Sequence, residues 1–332
     1  MSDTEDDFNE AATARREISE ALLSAVCGGA DEEKCLRLLE KGADPNYCDD
    51  FGNVLLRSSI ISGKNKVTLA LLEKGADPNL LPEVQDRTAL MQAARRGDGE
   101  IVKALIEKGA KLDVQDRLGW TALIGAEDFC KLDVVKTLLE AGANPDAQDY
   151  NGMTALMRAS EAGRVESVKA LIAGGADTKI EMELENGERW CALSLAIDAG
   201  RVDCVQVWVD MGLDIESCAG GRLPLSLAVI RGDAGIFSII VDKVRDINAR
   251  DEDGCTAVFS AAWSGHDLMI GWLSEKGADV NLADNAGVTP LMAAAEAGNR
   301  NAVTTLLALE ADVDRKDHKG RTARDYASDK PE

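Results

Sequence analysis

A chain of 332 residues has room for two globular domains, but a repeat array lengthens without enlarging any one core, so periodicity is read before domain count. With 45% hydrophobic, 29% charged and only 4% aromatic residues, it has the make-up of a folded protein in which the position of each ring is informative. The formal net charge of −22 opposes duplex nucleic acid, which is held by Lys and Arg displacing counterions from phosphate, and favours a basic or neutral protein partner.

In chain order, the first seventeen residues, MSDTEDDFNEAATARRE, are acidic and polar and lack the apolar core of a signal peptide. We expect residues 1–15 to be disordered and a single array to occupy 16–332. No apolar run approaches the roughly 20 residues that cross a bilayer, and the expected location is cytoplasmic. A capping unit comes next, with Leu22, Leu23, Leu38 and Leu39 as its apolar positions.

From there one position recurs at the opening of successive helices: Val54, Thr88, Thr121, Thr154, Cys191, Leu223, Thr256, Thr289 and Thr322, at steps of 34, 33, 33, 37, 32, 33, 33 and 33. A second marker, Gly42, Gly75, Gly109, Gly142, Gly175, Gly212 and Gly277, mostly within GAD or GAN, keeps the same period. Thr121, Thr154 and Thr289 are predicted N-caps, their hydroxyls accepting from N–H groups left unpaired in the first turn. Gly119, Gly152, Gly254 and Gly287 supply the positive φ of a tight turn. In the second helix Val134, Val135, Leu138 and Leu139 make one apolar face that a single unit cannot cover. At Gly142, Gly175 and Gly277 that helix ends in a left-handed cap.

The segment 177–190, DTKIEMELENGERW, stretches one step to 37 residues and predicts a longer hairpin, a joint between two half-arrays. The next unit carries Leu223 at the Thr position and Val244 where Gly stands elsewhere, so stability is expected to be lowest there. A truncated unit, GRTARDYASDK, follows the last full one.

Units such as DYNGMTALMRASEAGRVESVKALIAGGAD from Asp149 and DNAGVTPLMAAAEAGNRNAVTTLLALEAD from Asp284 resemble the ankyrin repeat, and the resemblance covers the chain from about residue 18 onward. It implies an all-α repeat solenoid of helix-turn-helix units with projecting β-hairpins, about ten units including N- and C-terminal caps, curved and on the order of 100 Å long. One family feature is missing. The His of T-P-L-H is replaced by Met91, Ile124, Met157, Ser194, Ser226, Phe259 and Met292.

The resemblance also implies a concave binding groove lined by hairpin tips and by the late part of each first helix. Arg87, Trp120, Met153 and Trp190 directly precede an opening position; Arg95, Arg96, Phe129, Arg231 and Trp263 lie seven or eight residues beyond one; Phe51, Arg117 and Tyr150 fall at tips. These twelve are the candidate partner-binding residues, since Trp, Tyr and Arg dominate interface hot spots. Arg87, Arg95, Arg96, Trp120, Phe129 and Tyr150 spread over three adjacent units and form a basic, aromatic patch in an acidic molecule, where a partner would present acidic side chains. Trp208, Trp272, Phe237 and Phe259 read as seam and core.

Catalytic chemistry finds no support. His266 and His318 have no Cys or Ser partner in repeat register, and His266, following Gly265, reads as part of an interhelical turn. Eight cysteines without a CxxC pair read as reduced thiols, Cys35 and Cys204 at apolar helix positions and Cys48 and Cys218 in loops. The glycine-rich CGGA, AGGAD and AGGR are not followed by Lys-Ser/Thr, so they are turns rather than phosphate loops. Asp49/Asp50 and Asp251/Asp253 read as turn formers. No cofactor and no metal site is expected. The function expected is a non-catalytic protein–protein interaction module, an adaptor or an inhibitor occluding an enzyme, monomeric by itself and binding a folded protein. The alternative is a sensor that binds a small nucleotide or a short single-stranded nucleic acid through its central units.

Overall fold

The computed structural model describes residues 3–82, 86–185, 187–216 and 222–328, with side chains from residue 11 onward. Cys218 and the first three residues of AGGR lie outside them. The chain divides into two compact units, one of residues 1–155 with 170–176, the other of 156–169 with 177–332.

In the first unit, helix pairs follow one another as α1 (Asp3–Cys27) and α2 (Glu32–Glu40), α3 (Leu55–Ile61) and α4 (Asn65–Glu73), α5 (Ala89–Arg96) and α6 (Gly99–Glu107), α7 (Ala122–Asp128) and α8 (Leu132–Glu140). Next in the chain come α9 (Ala155–Ala162) and α10 (Val165–Ala173). The second unit holds β1 (Glu181–Glu183), β2 (Arg189–Cys191), α11 (Ala192–Asp198), α12 (Val202–Asp210), α13 (Pro224–Arg231), α14 (Ala234–Val241), α15 (Ala257–Ser264), α16 (Asp267–Glu275), α17 (Pro290–Ala297), α18 (Arg300–Ala308) and α19 (Ala323–Ser328).

Within each unit, first helices pack on first helices and second on second. The rows are α1, α3, α5, α7 beside α2, α4, α6, α8 in one unit, and α11, α13, α15, α17, α19 beside α12, α14, α16, α18 in the other. The apolar stripes meet between the rows, where Leu56, Leu71, Leu90, Ile101, Leu105, Val135 and Leu138 are buried, and within the first unit each repeat's stripe is covered by the adjacent repeats. α1 already starts at Asp3, although composition led us to expect disorder over 1–15. Ala, Glu and Arg in that stretch are strong helix formers, and acidity alone overlooks this.

Opening threonines work as caps among the described residues. Thr88, Thr121, Thr256 and Thr289 accept through their hydroxyls from the N–H of Met91, Ile124, Phe259 and Met292 at 3.2–3.3 Å. Where Cys191 opens α11, Ser194 takes over: its Oγ accepts from Cys191 N–H and donates to Cys191 C=O, both at 2.8 Å. At α13 Leu223 offers no acceptor, and the buried Ser226 hydroxyl has no hydrogen-bond partner.

The tips of most units are tight turns rather than strands. An aspartate at the base organises each: Asp116 Oδ1 accepts from Leu118 and Trp120 N–H, both at 2.9 Å, and Asp149, Asp251, Asp284 and Asp317 repeat the arrangement. Adjacent turns are tied by backbone bonds such as Tyr150 N–H to Leu118 C=O at 3.1 Å. Gly119, at φ 77°, is needed on both counts, since a Cβ there would stand 2.7 Å from the Tyr150 nitrogen. Among the described residues, strand pairing is confined to β1 and β2, with Glu181 opposite Cys191, Met182 opposite Trp190 and Glu183 opposite Arg189, apart from an isolated bridge between Cys48 and Val54.

Two further ladders link neighbours. Asn46, Asn79, Asn248 and Asn281 accept through Oδ1 from the N–H of Asp77, Lys111, Asp279 and Asp312, 31 or 32 residues on, at 2.7–2.8 Å. At the interhelical turns, donors reach back to carbonyls ending the previous first helix: Arg96 to Ile61, Arg201 to Glu161, His266 to Ile230, and Asn299 to Ala262 and Trp263. His266 is one rung of this ladder. At the far end, Asp317 accepts from Lys319 and Arg321 N–H, Arg321 Nε and the Tyr326 hydroxyl. Burial works to raise the Asp317 carboxyl, but these four donors outweigh it and hold it at about 2.

Candidate functional site

The first unit carries nine of the twelve candidate residues. Phe51 and Tyr150 stand on turn tips, 82% and 72% exposed, with Arg117 exposed and Leu118 half-exposed beside them. No packing within the unit requires rings at those tips, whose turns are made by backbone and by the basal aspartates. Trp120 and Met153, one residue before the α7 and α9 openings, are half-buried.

Arg87 has a bracing role. Its Nε donates to Asp116 Oδ2 at 3.0 Å while Asp116 Oδ1 holds the turn bearing Leu118 and Trp120. Burial works to raise the Asp116 carboxyl, yet the Arg87 donor and the two N–H groups outweigh it and keep it below the usual carboxylate range. Arg96 is tied down too, with Nε on Asp98 Oδ2 at 2.7 Å and Nη1 on Ile61 C=O at 3.1 Å.

Arg95 is held differently. Its stem lies over Gly125 of α7, where a Cβ would come 3.3 Å from Cγ, and its guanidinium sits 4.5 Å from the centroid of the Phe129 ring. A mid-helix glycine costs about 1 kcal/mol relative to alanine; here it makes the seat for this cation–π pair. Phe129 caps α7 and keeps 40% of its surface exposed.

The sequence reading missed Arg57. It lies half-buried on α3 three residues after Val54, at the position that Met91 and Ile124 fill in the next units, and its Nε is shut off from solvent without an acceptor. An arginine in an otherwise apolar or serine column was the available signal.

The other three candidates belong to the second unit. Trp190 is half-buried in β2 opposite Met182, Arg231 is exposed with Nη1 3.6 Å from Asp198 Oδ1, and Trp263 is 51% exposed on the last turn of α15. Of the residues read as core, Trp208 and Phe237 are buried. Trp272 is not: it is 37% exposed, its ring 5.7 Å from that of Phe237, because nothing among the described residues packs outside the second-helix row there. Phe259 is half-buried.

The model for ankyrin repeats, three copies long, matches residues 59–149, 90–182, 126–217, 193–284 and 261–330 in overlapping frames. The chain belongs to the ankyrin-repeat family. No curated protein matches the sequence. Ankyrin repeats in general mediate protein–protein interaction.

In this ankyrin array the positions of the missing T-P-L-H histidines are mostly buried, with Met91 at 4% and Ile124, Met157 and Met292 at 1% exposure. Among the described residues no group of three His, Cys, Asp or Glu is placed to hold a metal ion, and no helix is long and apolar enough to cross a membrane. The described cysteines are free thiols. Burial pushes Cys204 up to about 11 and Cys255 to about 12, so both stay protonated at neutral pH.

Proposed function

We propose that this ankyrin-repeat protein is a non-catalytic binding module, an adaptor or an inhibitor that covers an enzyme, gripping a folded protein partner with the first unit's tips and groove. The observation that carries this reading is the set Phe51, Leu118, Phe129 and Tyr150: large apolar side chains left exposed where the turns would form without them. Buried aromatic anchors contribute most of the energy in protein interfaces, and Arg87 with Asp116 pre-organises the turn that carries Leu118 of this set and Trp120 beside it. The ring of Phe129 already carries Arg95 on one face, which favours a protein partner over a stacked base. The protein is read as working in the cytoplasm and as monomeric by itself.

Affinity capture from the native lysate should return a partner that the Trp120→Ala/Phe129→Ala double variant releases, with the variant's circular dichroism and Tm close to those of the parent. A folded double variant that retains the partner overturns this choice of face.

A further inference from the structure

Around the first helices and turns of α3, α5 and α7, the first unit carries five arginines with a defined pattern of counter-charges. Arg87 pairs with Asp116 at 3.0 Å, Arg96 with Asp98 at 2.7 Å and Arg117 with Asp86 at 4.0 Å. Arg57 and Arg95 have no carboxylate oxygen within 4.0 Å and make no hydrogen bond through any guanidinium nitrogen among the described residues. Both are half-buried, with Nε shielded from water. They belong to one cluster: Arg87 and Asp86 act electrostatically on each, and Asp116 and Asp128 act on Arg95 as well.

This is an odd place for unpaired cations. The chain has 59 acidic residues against 37 basic ones, so acids are plentiful, yet these two partly desolvated guanidinium groups have no carboxylate in contact. A charge taken partly out of water is unfavourable until a counter-ion meets it. Burial, joined by the Arg87 charge, lowers the pKa of both groups and outweighs the acids that raise them from a distance, Asp86 at Arg57 and Asp116, Asp128 and Asp86 at Arg95. The planar fork of Arg, with its Nη atoms uncommitted, suits a carboxylate bound through two parallel N–H donors.

We infer that Arg57 and Arg95 are the recognition pair for a carboxylate-bearing segment of the protein partner, which lays acidic side chains on the two guanidinium groups and an apolar side chain against Phe129 and Trp120. The inference rests on the protein-binding reading above and adds the chemistry of what is bound. Arg57 and Arg95 lie in adjacent repeats, on helix layers about 10 Å apart and offset by about one helical turn of 5.4 Å, which puts their backbones roughly 11 Å apart. An extended chain covers that distance in about three residues, so the expected segment is an acidic residue, a short apolar stretch and a second acidic residue.

The test uses the full chain and three probes followed by calorimetry: an extended synthetic peptide with Asp at its third and sixth positions and Leu and Phe between them, the same peptide with both Asp replaced by Asn, and oligothymidylate. The Asp peptide should bind the parent, and Arg57→Met or Arg95→Met should each weaken it about tenfold, as should the Asn replacements. Because Arg57 has no partner in the free protein, Arg57→Met should keep or raise the Tm, while Arg95→Met gives up only the cation–π contact with Phe129 and should keep the parent's circular dichroism and a cooperative melt, which separates lost recognition from lost folding. Equal affinity for the Asp and Asn peptides, no binding of the Asp peptide at about 1 mM, or binding of oligothymidylate alone each overturns the inference. A captured partner that leaves Trp120→Ala/Phe129→Ala but stays on Arg57→Met/Arg95→Met sinks only the carboxylate assignment; one that stays on both sinks the choice of face.

Discussion

At the scale of single residues, two non-glycine side chains among the described residues, Cys130 and Glu310, stand in the left-handed conformation that glycine otherwise takes. The turn after each first helix holds a left-handed glycine, as at Gly97 and Gly163 with φ of 81° and 78°, but Cys130 occupies this place in the α7–α8 turn at φ 58°. The second-helix cap repeats the pattern: Gly277 sits at φ 91°, and 33 residues later Glu310 sits at φ 58°. Left-handed backbone costs an L-residue about 1–2 kcal/mol through the crowding of Cβ against the carbonyl, and the extra freedom of glycine in the unfolded chain takes back part of that difference. Cys130→Gly and Glu310→Gly should therefore each stabilise the protein by about 0.5–1 kcal/mol. Urea titration reads this as a higher midpoint at unchanged slope; a lower midpoint for either variant would show that its side chain contributes more than the strain removes.

At the scale of helices, what was legible in the sequence is what each unit settles with its own residues. Thr caps, turn glycines and apolar stripes all act within one unit, so repetition exposes them. The donors that reach back to the previous helix, such as Arg201 and Asn299, and the seat of Arg95 on Gly125 were not legible, because each needs the geometry of two units at once. For the same reason Arg96 looked like a free groove residue, although the preceding repeat holds it through Ile61. A matched pair of serines tests how local a cap is. Ser194 and Ser226 stand at the same place in α11 and α13 and are both buried, but Ser194 bonds twice to Cys191 whereas Ser226 Oγ has no partner. Ser194→Ala should cost about 1–2 kcal/mol by orphaning the Cys191 N–H, while Ser226→Ala, which removes an unsatisfied hydroxyl, should be neutral or stabilising. Amide hydrogen exchange supplies the second readout: Cys191 N–H should lose protection in the first variant. Equal losses of stability would mean that Ser226 finds a partner in solution.

At the scale of the whole molecule, the net charge of −22 acts on folding and on binding in the same direction. Self-repulsion among like charges destabilises the compact state, and added salt shortens the screening length from about 30 Å at 0.01 M to about 8 Å at 0.15 M. Raising NaCl over that range should increase the Tm. An acidic peptide approaching the Arg57–Arg95 pair meets the same field from outside: repulsion from the whole surface at long range, attraction from two guanidinium groups only on contact. Salt screens the distant, exposed charges strongly and the half-buried contact weakly. The association rate measured by stopped flow should then rise with NaCl across this range while the dissociation rate changes little, the reverse of the fall seen when opposite charges steer an encounter. An association rate that falls steadily with salt would mean that the local arginine field outweighs the acidic surface well before contact.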